Sequence, residues 1–210
     1  MARHPAHLAD ERHRETRGRV LAAARAIVID GGYAQASMSA VARRAGVATG
    51  TLYRHFAAKG ELFAEVFRDA AGREQALIAA IAADRDRPVP ERLAHAVEVF
   101  ARRARAAPTL AYALMAEPVD PAVEDARLES KRAYHEVFGA LLEEGVERGE
   151  LPPQDAEVVS SALVGALQEA LIGPLAKRQA GEALIASLVC FALSAVGAAQ
   201  FAREEIHGHG

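Results

Sequence analysis

Few side chains in this sequence are arranged for covalent catalysis. Glu204 and His207 form its one Glu-x-x-His pairing in the last residues, whereas a helical di-metal centre needs that motif on each of two helices. Cys190 lies in an apolar run with no histidine near it in sequence, so nothing there would stabilise a thiolate. His95 and His135 are isolated on separate segments. Zinc-hydrolase, phosphate-loop and dinucleotide fingerprints are all missing. The expectation is a protein that is not an enzyme, with no cofactor and no metal.

A different kind of chemistry is concentrated in Ser37 to Leu62, SMSAVARRAGVATGTLYRHFAAKGEL. Ser37 is a good helix N-cap, and Met38, Val41, Ala42 and Ala45 then give one apolar face about two turns long. Gly46 stops that helix, and Val47 anchors the turn. A second short helix starts near Thr49, with Leu52 and Phe56 turned inward four residues apart. Thr49, Gly50, Thr51, Tyr53, Arg54 and His55 are left facing outward or sideways, a surface of hydroxyls and cationic groups suited to a groove of DNA. Two short helices joined by a glycine-containing turn are the elements of a helix-turn-helix.

The elements that must position this face follow from composition. Hydrophobic residues make up 51% of the 210 positions and charged residues 25%, which excludes a disordered chain. Alanine, the best helix former, occurs 49 times, and no stretch alternates with period two for long, so an all-α fold of about nine helices is expected. The net charge of −3 hides a polarity: residues 1–60 hold 10 Lys+Arg against 4 Asp+Glu, and the rest is acidic. A basic head would meet a polyanion and an acidic body would not. Residues 1–60 are therefore read as the DNA-binding domain with a mobile basic N-terminal arm (MARHPAHLADERHR), and residues 61–210 as a helical body. The arm has no apolar stretch of a secretory signal. With a single cysteine excluding an internal disulfide, the cytoplasm is the expected location.

Ala45-Gly46-Val47, Gly50-Thr51-Leu52-Tyr53, Phe56, Lys59 and Leu62 resemble the DNA-binding signature of the TetR/AcrR (tetracycline-repressor-like) family. That resemblance is strong over about residues 14 to 65. It implies three N-terminal helices for DNA and a helical body that binds a small effector and dimerises. Ala48 departs from the family pattern where Ser or Thr normally caps the second helix, although Thr49 could cap one residue later; Gly60 stands where an acidic residue often begins the next helix. By resemblance, Thr51 and Tyr53 would hydrogen-bond phosphates and Lys59 would clamp them. Thr49, Arg54 and Ser39 are candidates for base edges, with arginine favouring guanine. His55 would be a neutral phosphate donor or simply a surface residue. Arg43, Arg44 and the arm residues Arg12, Arg14 and Arg17 would supply salt-sensitive attraction; Arg19 and Arg25 could equally be solvated.

In the body, Phe100, Arg103, Tyr112, Met115, Arg127, Tyr134, His135 and Phe138 share helical phase and could line an effector pocket, though ordinary packing explains each of them equally well. Two C-terminal segments, Ala156 to Ala176 and Ala183 to Ala202, are apolar on most sides. Ser161, Ala162, Gly165, Ala166, Leu188, Phe191, Ala192 and Ala195 would form a homodimer interface, a four-helix bundle that presents two recognition helices to a palindromic operator on double-stranded DNA. Pro174 should bend or end the first segment. The uncharged run Ala183 to Ala202 is long enough to span a bilayer, but its small residues and missing aromatic belt argue for a subunit interface and no membrane. The expected function is a ligand-responsive repressor released by a small hydrophobic effector. The alternative is a helical protein-interaction or membrane-associated module with a basic N-terminus.

Overall fold

The computed structural model describes residues 5–201, with side chains from position 10 onward. Glu204, His207 and the HGHG tail lie outside the described residues. Among the described residues there is no strand, and nine helices are delimited: α1 (Pro5–Gly31), α2 (Met38–Ala45), α3 (Thr49–His55), α4 (Lys59–Ala82), α5 (Val89–Ala106), α6 (Pro108–Met115), α7 (Pro121–Glu147), α8 (Ala156–Ala176) and α9 (Glu182–Ala195), with residues 199–201 helical again beyond α9. The all-α expectation holds.

The sequence signals act locally as physics requires. The Ser37 hydroxyl accepts the Ala40 N–H at 3.2 Å, capping α2. Gly46, at φ 66°, closes the same helix, with the Val47 N–H on the Ala42 carbonyl at 3.0 Å and its own N–H on Arg43 at 3.3 Å. α3 has only seven residues, and so short a helix is marginal alone. Leu52 and Phe56 are fully buried beneath it and contribute about 1.5–3 kcal/mol each. The cap position of α3 is Ala48, in extended conformation with no side-chain bond. Thr49 is already helical and does not take over the cap.

Two expectations about extent are corrected, and a third, that Pro174 bends or ends its helix, is met. The N-terminal segment is not an arm over its described part: α1 begins at Pro5, which suits a first helical position because its missing N–H is not needed there. The apolar run from Ala183 is not one helix, because α9 stops at Ala195 and the chain turns at Gly197, φ 79°. A Cβ at that glycine would come within 2.5 Å of Pro152. Pro174 lies inside α8, which ends soon after it at Ala176. α8 is the one helix among the described residues long and apolar enough to cross a membrane, by length and composition.

Two apolar clusters organise the chain. The first joins Val20, Ala24 and Val28 of α1 to Met38, Val41, Leu52 and Phe56, then to Leu62, Phe63 and Phe67 of α4. It is completed from outside the first 60 residues by Leu110 and Ala113 of α6 and Val123 and Ala126 of α7. The second cluster is built from α5, α7, α8 and α9 and takes in Ile78 near the end of α4. α4 thus belongs to both, and its packing against α7 is the most extensive helix pairing. At the far end of α4 the buried Arg92 donates to the Ala82 carbonyl at 2.7 Å and to Glu144 at 2.7 and 3.2 Å. That bond set ties α4, α5 and α7 together.

Candidate nucleic-acid interface and internal cavity

The α2–α3 corner presents a polar surface on an apolar base. Ser39, Arg43, Thr49, Gly50, Tyr53 and Arg54 are exposed, Tyr53 by 51%, while Thr51 is half-buried. Arg43 and Arg54 have no side-chain partner among the described residues, so both cations are available to a polyanion. Arg44 is exposed but paired with Asp30 at 2.5 Å. Arg17 is committed to a bidentate pair with Glu65 and lies over the Phe56 ring, 4.9 Å from its centroid. Arg19 donates to the Ala45 carbonyl at 2.5 Å and so braces the end of α2. Arg14 pairs with Asp10 along α1. Of the residues expected to supply basic attraction, Arg12 and Arg43 are the ones without an ion pair among the described residues.

His55 turns toward α1. Its ring centroid is 4.1 Å from that of His13, and its Nδ1 is buried without a partner. Burial, with His13 and Arg17 nearby, pushes its pKa below the ordinary histidine value, so it is neutral near pH 7. Lys59, the first residue of α4, holds its ammonium 4.0 Å above the centre of the Tyr33 ring. A cation held on an aromatic face is positioned at little entropic cost.

Tyr33 is the centre of a joint between head and body. Its N–H and that of Ala34 donate to the two oxygens of Glu117, at 2.7 and 2.9 Å. The Tyr33 hydroxyl donates to Asp120, and its ring meets Phe63 and Phe67 edge-on, at 5.3 and 6.2 Å between centroids. Burial and the Asp120 carboxylate push the Tyr33 pKa far up, which keeps the hydroxyl a donor. Gly60 explains its departure from an acidic residue here: a Cβ would stand 3.2 Å from the Cβ of Asp120, at the start of α7. The α1–α2 turn, the start of α4 and the α6–α7 connection therefore meet at one place. None of this was legible as a site in the sequence, because Glu117 and Tyr33 are 84 positions apart.

Above the joint lies a partly open cavity of about 80 Å³. Phe67, Ala71 and Glu74 of α4 form one wall, Phe100, Arg103 and Ala104 of α5 another, and Leu110, Ala111, Leu114 and Met115 of α6 a third. α7 adds Ala126, Arg127, Ser130, Lys131 and Tyr134, and α8 adds Gln168. Of the expected pocket residues, Phe100, Arg103, Met115, Arg127 and Tyr134 come together here. Phe138 lines a smaller adjoining hollow with Phe100, Tyr134 and Gln168. Tyr112 and His135 are corrected, since they line neither space. Each follows by one position a residue that faces the cavity, Ala111 and Tyr134, and successive helix residues point about 100° apart. Sequence reasoning missed the α4 wall, whose spacing (Phe67, Ala71, Glu74) was visible as a helix face but not as a cavity lining.

The cavity is apolar with a paired charge at one side. Arg103 donates to both oxygens of Glu74, at 2.5 and 2.7 Å, and that bond raises the arginine pKa further. Tyr134 is buried edge-on to Phe100 at 5.6 Å, and burial pushes its pKa up.

Among the described residues, the C-terminal helices leave one face uncovered. Ser161, Ala162 and Gly165 of α8 and Ala195 of α9 are exposed, Ala166 is partly so, and Val158 and Phe191 expose 62% and 45%. Leu188 and Ala192 are corrected as interface residues: both are buried in this chain's own body core.

Residues 20–66 match the family model for bacterial regulatory proteins of the tetR family, and residues 86–171 match a tetracyclin repressor-like C-terminal domain. The HTH-type transcriptional repressor KstR of Mycolicibacterium smegmatis is 49% identical over 67 residues, a stretch equal to 32% of this chain and 31% of that protein. The HTH-type transcriptional activator FasR of the same organism is 44% identical over 54 residues, 26% of this chain and 25% of its own. These matched stretches span less than a third of the curated relatives. Among solved structures, the fatty acid degradation regulator FadR from Bacillus halodurans is similar with a TM-score of 0.72 at 23% identity, over 92% of this chain and 97% of that one. The FadR of Bacillus subtilis in complex with stearoyl-CoA gives 0.72 at 21% identity, over 86% and 97%. At such identities the likeness is one of fold.

Proposed function

The chain belongs to the tetR family of bacterial regulatory proteins and is a DNA-binding transcriptional regulator, and from that premise we propose that it acts as a cytoplasmic homodimeric repressor which a small hydrophobic effector releases from a palindromic operator. The observation that carries the reading is the double membership of α4. Its first half, with Leu62 and Phe63, closes the core beneath the reading helix, and its next turns, with Phe67, Ala71 and Glu74, wall the cavity. Ligand pockets typically occupy roughly 300–1,000 Å³, several times the space present. An effector of ordinary size overfills this space and presses on its walls, and a displaced α4 carries the head with it.

Repression needs two heads in register with successive major grooves, about 34–36 Å apart or a multiple. The uncovered face of α8 and α9 supplies the means: small residues let helices approach, and Val158 and Phe191 fill the gaps of a four-helix bundle. The exposed Glu157 and Glu169 on α8 argue against lipid as the covering medium. KstR is named a repressor and FasR an activator, and this chain is assigned the former role. Effector and DNA then antagonise each other by the same factor. Selection from a random duplex pool tests the reading. A two-fold symmetric motif bound by one dimer is expected; recovery of no motif, or of an asymmetric one bound by a monomer, would overturn it.

A further inference from the structure

We propose that the cavity selects a small apolar anion, a short hydrocarbon body ending in a carboxylate or a phosphate monoester, through Arg127 and Lys131, a proposal that rests on the reading of this cavity as the effector site. The charges lining the cavity are not balanced. Arg103 and Glu74 satisfy each other with two hydrogen bonds. Arg127 and Lys131, four positions apart on α7, share one helix face and line the same space. Lys131 has no ion pair among the described residues. Arg127 is only 9% exposed; its Nη1 donates to Glu124 at 2.6 Å and its Nη2 to the Ala113 and Glu117 carbonyls at 2.8 and 2.7 Å. Its Nε is buried with no partner.

A buried donor without an acceptor is a destabilised group, relieved if the guanidinium shifts toward a ligand oxygen. Between these two cations stands Ser130, whose Oγ already accepts from Gln75 at 2.9 Å, so its hydroxyl hydrogen is free to donate. Ser130 and Lys131 thus offer two donors beside the Arg127 guanidinium on one face of α7, and no uncompensated carboxylate lines the space opposite them. A cationic ligand would meet Lys131, the cation here without an ion pair among the described residues, and a neutral alcohol would leave that lysine uncompensated. The same guanidinium holds the carbonyl of Glu117, whose carboxylate carries the Tyr33 and Ala34 amides of the head. An anion that draws Arg127 toward itself pulls on the joint, which gives ligand charge a direct route to DNA affinity.

Calorimetric titration of the full chain with hexanoate, hexyl phosphate, hexan-1-ol and hexylammonium tests this, beside DNA affinity measured with each compound present. At least one of the two anions is expected to bind about tenfold or more tighter than hexanol, as one added charge-assisted hydrogen bond implies, with hexylammonium weakest. Which anion wins distinguishes a carboxylate from a phosphate head. Lys131→Gln should erase that preference and leave hexanol binding unchanged, and Lys131→Arg should restore it; this half-buried site avoids the folding role of Arg127. Hexanol binding as tightly as both anions, or Lys131→Gln weakening anion and alcohol alike, would overturn the charge selection while leaving the cavity an effector site. Absence of binding by all four, with DNA affinity untouched, would overturn both.

Discussion

Arg54 and Lys59 are both cations near the reading face, yet their surroundings assign them different work. Arg54 is exposed near the end of α3 without a partner, free to adapt to a base edge, whereas Lys59 is held over the Tyr33 ring at the start of α4. Phosphate contacts position a protein and base contacts specify. Lys59→Ala is therefore expected to weaken binding to all sequences alike and to lower the salt slope by about one. Arg54→Ala should relax the preference at one base of each half-site, at a cost of about 1–3 kcal/mol for the cognate sequence. Binding-site selection repeated at two salt concentrations reads both, and an unaltered motif for Arg54→Ala would remove it from base recognition.

Between elements, the chain depends on Glu117. This carboxylate accepts two backbone N–H groups of the α1–α2 turn, and Asp120, on the same connection, takes the Tyr33 hydroxyl. Charge-assisted hydrogen bonds are roughly twice as strong as neutral ones. Glu117→Gln can accept only one of the two amides, and should cost about 1–3 kcal/mol at the joint. Amide hydrogen exchange at Tyr33 and Ala34 is expected to accelerate while that of α9 stays unchanged. Uniform acceleration through the chain would show that Glu117 holds overall stability rather than this joint. If head and body communicate here, the same change lowers the factor by which effector and DNA exclude each other.

For the whole molecule, assembly and acid stability can each be tested at one position. Gly165 lies exposed near the middle of α8, and a glutamate there would lack a partner in the proposed dimer. Gly165→Glu should sediment as a folded monomer that no longer binds a palindrome. Ala192→Arg, by contrast, places a charge in the body core and should unfold the chain instead of dissociating it. Glu144 is an acid-sensitive position paired with a buried arginine. Its bond with Arg92, helped by Arg148, holds its pKa below the ordinary value of 4.5. A carboxylate whose folded pKa is depressed stabilises above its unfolded value, and that stabilisation is lost as pH falls through the folded one. Glu144→Gln is thus expected to cost about 3–5 kcal/mol near neutral pH, because it leaves Arg92 buried and unpaired. The two unfolding curves should converge only once pH falls below the depressed folded pKa of Glu144, where the wild-type carboxylate is also neutral.

Sequence alone determined what depends on neighbours along the chain. The Ser37 cap, the Gly46 stop, the inward spacing of Leu52 and Phe56 and the outward polarity of Thr49, Tyr53 and Arg54 are set by propensities and by a 3.6-residue period acting over a few positions. Those features carried the family resemblance and the helical class. Tertiary structure decided which faces meet, and that information is spread over distances no periodicity reports. Helical phase placed Phe100, Arg103, Met115, Arg127 and Tyr134 around one cavity, but it also nominated Tyr112 and His135, each next to a lining residue and turned away from the space. Apolar character marked α8 and α9 as candidate interface helices, yet it could not separate Leu188 and Ala192, which are buried within the chain, from Phe191, which the described residues leave 45% exposed. An apolar side chain is drawn out of water by any apolar partner, without regard to direction or identity. Only the packed chain shows which partner it found.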